Sequence, residues 1–155
     1  MPAVHGTCLQ ISEIGVLLLG APGSGKSDLA LRLIEPFGVA GAMLVADDQV
    51  TIEAVDGRLM ARAPNNIAGR LEVRGVGIIT VPHSVEAELR LAVRLEADAL
   101  GNGERMPDFS RQVAVFCGIS IPEIHIDPFA ASAAAKVHAM VSTLGAEGFD
   151  GEPGN

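Results

Sequence analysis

Gly20-Ala21-Pro22-Gly23-Ser24-Gly25-Lys26-Ser27 satisfies the pattern G-x-x-x-x-G-K-[ST] at every fixed position, and it constrains the fold more than any other stretch of the chain. Such a loop works only between a strand and a helix. Residues 15–19, Gly-Val-Leu-Leu-Leu, read as a short buried strand, and residues 28–34, Asp-Leu-Ala-Leu-Arg-Leu-Ile, read as a helix. Backbone N–H groups then converge on one point at a helix N-terminus, where the helix dipole favours negative charge. Lys26 is placed to reach the β- and γ-phosphates, and Ser27 to reach Mg²⁺. The chain is therefore expected to bind a nucleoside triphosphate, ATP, with Mg²⁺.

Composition narrows what surrounds this loop. The 155 residues are 48% hydrophobic, which fits one globular domain rather than a disordered chain. No apolar run approaches the ~18 residues of a membrane span. The first residues, Met-Pro-Ala-Val-His-Gly-Thr, lack a basic start and a long apolar stretch, so no signal peptide is expected and the protein reads as cytoplasmic. A net charge of −8 argues against nucleic acid as a partner, because no basic stripe exists to neutralise phosphates. Cys8 and Cys117 lie in apolar stretches and read as reduced core residues. The chain has five Phe and no Trp or Tyr, so base-stacking surfaces are scarce and aliphatic contacts and backbone are expected to hold the adenine.

The rest of the chain is mostly β. Strands are expected at 4–11, 16–19, 42–46, 50–55, 59–63, 71–80, 89–95, 113–116 and 119–126, with turns at Ser12-Glu13 and Asp56-Gly57. Helices are expected at 27–37 and 130–144. Val137, Met140, Val141 and Leu144 form an apolar stripe on the second, suited to the core or to a subunit interface. Segment 71–80 alternates at period two yet carries Gly75 and Gly77, which implies a bulge or a close ligand. A doubly wound domain would alternate strand and helix throughout. This pattern instead predicts an α/β P-loop domain over residues 1–145, with a mixed, strand-rich sheet and few helices. Residues 146–155 read as a disordered Gly/Pro/acidic tail.

Several residues could carry chemistry beside the loop. Asp47 and Asp48 end an apolar strand, where a nucleotide's metal and the attacking group meet. Neighbours on a strand face opposite ways, so one carboxylate suits the metal shell and the other suits accepting a hydroxyl proton. Glu72 shares a strand face with Arg74, and it fits either a solvated ion pair or a metal-directed carboxylate. His5 is suited to orienting a strand-end Asp. Arg105 sits in a polar loop, from which it could neutralise a transferring phosphate. His83, His125 and His138 have no supporting pattern.

Together these residues resemble the catalytic domain of the HPr kinase/phosphorylase family. His5-Gly6-Thr7, the glycine loop, Leu44-Val45-Ala46-Asp47-Asp48 and Leu71-Glu72-Val73-Arg74-Gly75-Val76-Gly77-Ile78-Ile79 follow the family's motifs in order, within residues 4–129. The resemblance implies phosphoryl transfer from ATP to a serine of HPr, a small phosphocarrier protein, and reversal by inorganic phosphate to give pyrophosphate. It implies that Lys26 contacts the phosphates, that Ser27 and Glu72 hold Mg²⁺, and that Asp48 is the proton acceptor. Asp47 would support Asp48 or the metal, with His5 and Arg105 completing the site. It also implies a homo-oligomer, hexameric in the family. The chain departs from the family pattern in four places. His5 stands almost at the start, which implies a form without the family's N-terminal domain. Asp28 replaces a Glu, and the match at Arg105 is loose. Ile126-Asp127-Pro128-Phe129-Ala130-Ala131 replaces an arginine-bearing segment that serves dephosphorylation, which implies weak or absent phosphorylase activity. A small-molecule kinase on the same scaffold and a nucleotide-binding sensor that transfers nothing remain the competing classes. The lid-poor middle argues against the first, and the hydroxyl-directed Asp48 against the second.

Overall fold

A computed structural model describes residues 3–34, 42–64, 69–97 and 112–146. Eleven strands and two helices occur among them. They are β1 (Ala3–His5), β2 (Thr7–Ile11), β3 (Ile14–Leu19), α1 (Lys26–Leu33), β4 (Met43–Ala46), β5 (Gln49–Val55), β6 (Arg58–Arg62), β7 (Arg70–Val73), β8 (Gly77–Thr80), β9 (Glu86–Leu95), β10 (Val113–Phe116), β11 (Ile119–Ile126) and α2 (Ala133–Ala146). The mixed, strand-rich sheet with few helices is the architecture expected from the sequence.

Nine strands form one sheet, in the order β1-β5-β6-β9-β3-β2-β4, with β11 also on β9 and β10 on β11. Strand β9 organises it. Its first residues pair with β6, its last with the parallel β11, and its other edge with the parallel β3. All six residues of β3 are buried, because both faces of this strand are covered. Val16 and Leu18 face Leu29 and Leu33 of α1 and Val137, Val141 and Leu144 of α2. Leu17 and Leu19 face the other way, onto Val50, Ile52 and Leu59 of the β5–β6 hairpin. The stripe on α2 is thus core.

Strand directions decide where the chemistry sits. Strand β2 is antiparallel to both β3 and β4, so β3 and β4 run the same way. The loop after β3 and the aspartates after β4 therefore emerge at one end of the sheet. The C-terminal ends of β9 and β11 lie there too. This is the crevice in which open α/β sheets hold ligands.

Four expectations need correction. The strand over 4–11 breaks at Gly6, where an added Cβ would lie 2.8 Å from the Leu18 carbonyl oxygen. Residues 71–80 are a two-stranded hairpin, β7–β8, turned by Arg74-Gly75-Val76, with Gly75 at φ 83 and Gly77 at φ 112. Gly75 thus lies in a turn and Gly77 opens β8, and Arg74 stands in the turn rather than within a strand beside Glu72. Helix α1 stops at Leu33, with Ile34 extended as its cap. Cys117 is exposed in the β10–β11 turn at φ 50, outside the core, whereas Cys8 is fully buried. Both are free thiols. Burial pushes the Cys8 thiol up to about 12. A thiol reagent at neutral pH should therefore label one cysteine in the native protein, Cys117, and both after denaturation. Native labelling of Cys8 at the same rate would contradict this packing.

His125, given no role above, lies between two carboxylates. Its Nδ1 is 3.1 Å from Glu96 Oε1 and its Nε2 is 3.0 Å from Glu123 Oε1. No helix among the described residues is long and apolar enough to cross a membrane. The tail beyond residue 146 lies outside the described residues.

Candidate active site

The glycine loop leaves β3 and enters α1 through Gly25, the N-cap, at φ 98. Gly23 is also left-handed, at φ 82. A side chain is strained at either position, so the loop can curl only with glycine there. Lys26 is 8% exposed, and its Nζ donates to the carbonyls of Gly20 at 2.7 Å and Ala21 at 3.1 Å. Desolvation lowers its pKa from the ordinary lysine value, an effect opposed by the charges of Asp47 and Asp48. Ser24 Oγ is buried and has no hydrogen-bond partner among the described residues. A loop with left-handed glycines, a spare hydroxyl and a lysine folded back on its own carbonyls is a cradle suited to phosphate oxygens.

The two aspartates face different partners. Asp47 Oδ1 accepts from Thr7 Oγ1 at 2.9 Å and from Ser27 Oγ at 3.2 Å, and its Oδ2 accepts from the Glu72 backbone N–H at 3.1 Å. Asp48 has φ 71, and its Oδ1 lies 3.4 Å from His5 Nδ1. The β1–β5 ladder, which pairs His5 with Gln49, and the Gly6 N–H bond to the Asp48 carbonyl bring these two side chains together. Strand β4 ends at Ala46, so the aspartates diverge because Asp48 is left-handed and not because a strand alternates.

One cavity of about 630 Å³ joins His5, Lys26, Ser27, Asp47, Asp48 and Glu72. Pro22, Gly23, Gly25, Asp28, Arg74 and Phe129 also line it. The β7–β8 turn places the Arg74 guanidinium 3.4 Å from where a Cβ on Gly23 would stand. Phe129, 70% exposed, lies on the other side of the loop, beside Gly25. Its turn is fixed by its N–H bond to Asp127 Oδ1 at 2.9 Å and by Arg32 Nη2 donating to the Pro128 carbonyl. Arg105 lies outside the described residues.

Three residues escaped sequence reasoning. Arg74 had been given only an ion-pair partner, and Phe129 was hidden by loop geometry. Thr7 is a buried hydroxyl at the start of a mostly apolar strand, and that was a usable signal. Among the described residues, no three His, Cys, Asp or Glu side chains form a ready metal cage. The donors present, one serine hydroxyl and carboxylates beside a phosphate cradle, fit Mg²⁺, which takes one or two carboxylates and completes its shell with phosphate oxygens and water.

Comparison with known proteins identifies the family. The family model for the HPr serine kinase C-terminal domain matches residues 1–143. The chain is 44% identical over 100 residues to the HPr kinase/phosphorylase of Clostridium beijerinckii, covering 60% of this chain and 32% of that protein. It is 33% identical over 133 residues to that of Lactobacillus acidophilus, covering 80% of this chain and 40% of that protein. It thus spans well under half the length of these curated relatives. The solved structure of the Hpr(Ser) kinase/phosphatase from Coxiella burnetii superposes with a TM-score of 0.78 at 26% identity, covering 97% of this chain and 95% of that one. Because the family model accounts for nearly all of its residues, the chain belongs to the HPr serine kinase C-terminal domain family.

Proposed function

We propose that this chain transfers the γ-phosphoryl group of ATP to a serine hydroxyl of an HPr-like phosphocarrier protein. The observation that carries the reading is the division of labour between adjacent aspartates in one cavity with the glycine loop. Asp47 faces Ser27, and Asp48 faces His5. A nucleotide sensor needs only the first of these.

Phosphoryl transfer is chiefly positioning and charge neutralisation. Lys26 turns from the Gly20 and Ala21 carbonyls to the β- and γ-phosphates. Ser27, Asp47 and Glu72 would hold Mg²⁺, which supplies neutralisation of the charge developing on the phosphate oxygens. Asp48 accepts the serine proton as the hydroxyl oxygen attacks phosphorus. The bond from the γ-phosphorus to the bridging oxygen breaks, ADP leaves, and the proton stays on the Asp48–His5 pair. In reverse, Asp48 returns it. Arg105 would add positive charge.

The test is incubation of the protein with Mg-ATP and a purified HPr-like carrier from the same cell, read by intact mass. One added phosphate on a serine is expected. Tight ATP binding with no transfer to the carrier, but transfer to a metabolite, would replace this reading with a small-molecule kinase.

The reverse direction should be weak. The segment from Ile126 to Ala131 places Pro128 and Phe129 beside Gly25 of the loop and contains no cationic side chain to hold a free phosphate. Phosphorylated carrier given inorganic phosphate should release pyrophosphate at a small fraction of the forward rate. Comparable rates would show that another part of the chain supplies the anion site. We place the reaction in the cytoplasm and, by the family resemblance, in a hexamer, which light scattering of the purified protein would check.

A further inference from the structure

We propose that Thr7 is a positioning residue for the divalent cation, acting through Asp47. The inference rests on the reading of Asp47 and Ser27 given above. Thr7 is 0% exposed, and Lys26 is the other polar or charged side chain buried among the described residues. A hydroxyl without a partner is costly in such a place, and valine would fill the same volume with no polar atom to satisfy. The sheet explains why a hydroxyl stands there. Strand β2 lies between β3 and β4, with Thr7 paired to Leu18 and Cys8 paired to Ala46. Thr7 is thus the first residue of β2, at the end of that strand where β3 delivers the glycine loop and β4 delivers Asp47.

Its Oγ1 donates to Asp47 Oδ1 at 2.9 Å, the same oxygen that accepts from Ser27 Oγ at 3.2 Å. The Glu72 N–H takes the other oxygen at 3.1 Å. Two of the three donors to Asp47, Ser27 and Glu72, belong to residues that would themselves hold the cation. The Glu72 donor is its backbone N–H, on the β7–β8 hairpin, and Ser27 Oγ is itself suited to the cation, so Thr7 Oγ1 is the side-chain donor to Asp47 that has no part in holding the metal. It pins the rotamer of Asp47, so that the carboxylate is already aimed at Ser27 when Mg-nucleotide arrives. Partners behind metal-binding groups typically change metal affinity by about 10–100-fold when removed.

The test is calorimetric binding of ADP to the full chain, with and without Mg²⁺, alongside thermal unfolding of the nucleotide-free protein. Thr7→Val removes the hydroxyl and keeps the shape. Thr7→Ser keeps the hydroxyl and removes the methyl. Thr7→Val should weaken Mg-ADP binding about 10-fold and leave metal-free ADP binding unchanged, with some fall in Tm from the lost bond to Asp47. Thr7→Ser should also lower Tm, through the lost methyl, yet keep the Mg²⁺ gain. Should the valine variant fail to fold, Thr7→Ala against Thr7→Ser makes the same comparison with the methyl absent from both, and only the alanine variant should lose the Mg²⁺ gain. An unchanged Mg²⁺ gain in Thr7→Val, or equal losses in the alanine and serine variants, overturns the proposal. A wild-type protein that shows no Mg²⁺ gain overturns the reading of Asp47 and Ser27, and this proposal with it.

Discussion

Asp48→Asn folds like the wild type, binds Mg-ATP, and transfers phosphate to the carrier about 10²–10⁴-fold more slowly, the range of a lost general base. Asparagine has the shape of aspartate and is among the residues that tolerate a left-handed backbone, so φ 71 is retained. It cannot accept the serine proton. The exposed His5–Asp48 contact at 3.4 Å contributes little to stability, and its loss leaves the fold intact. Asp48→Gly separates the two roles of this residue. It removes the same carboxylate and also relieves a strained conformation, which costs a side-chain-bearing residue about 1–2 kcal/mol. It should be as inactive as the asparagine variant yet melt roughly 2–4 °C higher. Intact-mass kinetics and thermal unfolding of both variants decide the matter. Full activity in Asp48→Asn would remove Asp48 as the base. A lower Tm in Asp48→Gly would mean that the carboxylate holds the turn together instead of being held in it.

That strained aspartate also shows how far the sequence reaches. The glycine loop, its strand and its helix follow from local rules, because fixed residue types are needed within eight positions. Tight turns were readable for the same reason. Ser12-Glu13 and Asp56-Gly57 both adopt positive φ throughout, as two-residue hairpin turns demand. Assembly of the site was harder to read. Thr7 meets Asp47 across 40 positions, and Glu72 meets it across 25. Those contacts depend on strand order, which no short-range pattern encodes. Alternation at period two also misled over 71–80, where a hairpin about a glycine turn keeps the alternation of one long strand. The split between Asp47 and Asp48 was expected from strand alternation and arises instead from a single left-handed residue. Arg105, the loosest of the sequence matches, falls outside the described residues and stays a proposal.

Lys26→Met should abolish tight nucleotide binding while leaving the fold in place. Methionine reproduces the length of the lysine stem inside a site that leaves Lys26 only 8% exposed. What it loses is the ammonium that now bonds the Gly20 and Ala21 carbonyls and that would turn to the phosphates. A charge-assisted bond to phosphate in a partly dry cleft is worth more than a neutral one, so affinity for Mg-ATP should fall at least about 100-fold, or ~3 kcal/mol. The wild type carries a pH signature of the same group. Desolvation holds the Lys26 pKa below the ordinary lysine value, against the pull of Asp47 and Asp48. As pH rises through that lowered value, the folded protein gives up the proton before the unfolded chain does. Stability of the nucleotide-free protein therefore gains a contribution from Lys26 over that window, up to the ordinary lysine range. Nucleotide affinity falls over the same window, because the charge that meets the phosphates is lost, and binding there takes up a proton. Calorimetry in buffers of different ionisation enthalpy detects that uptake. Lys26→Met should show neither the uptake nor the alkaline loss of affinity, and a variant that keeps both would assign them to another group.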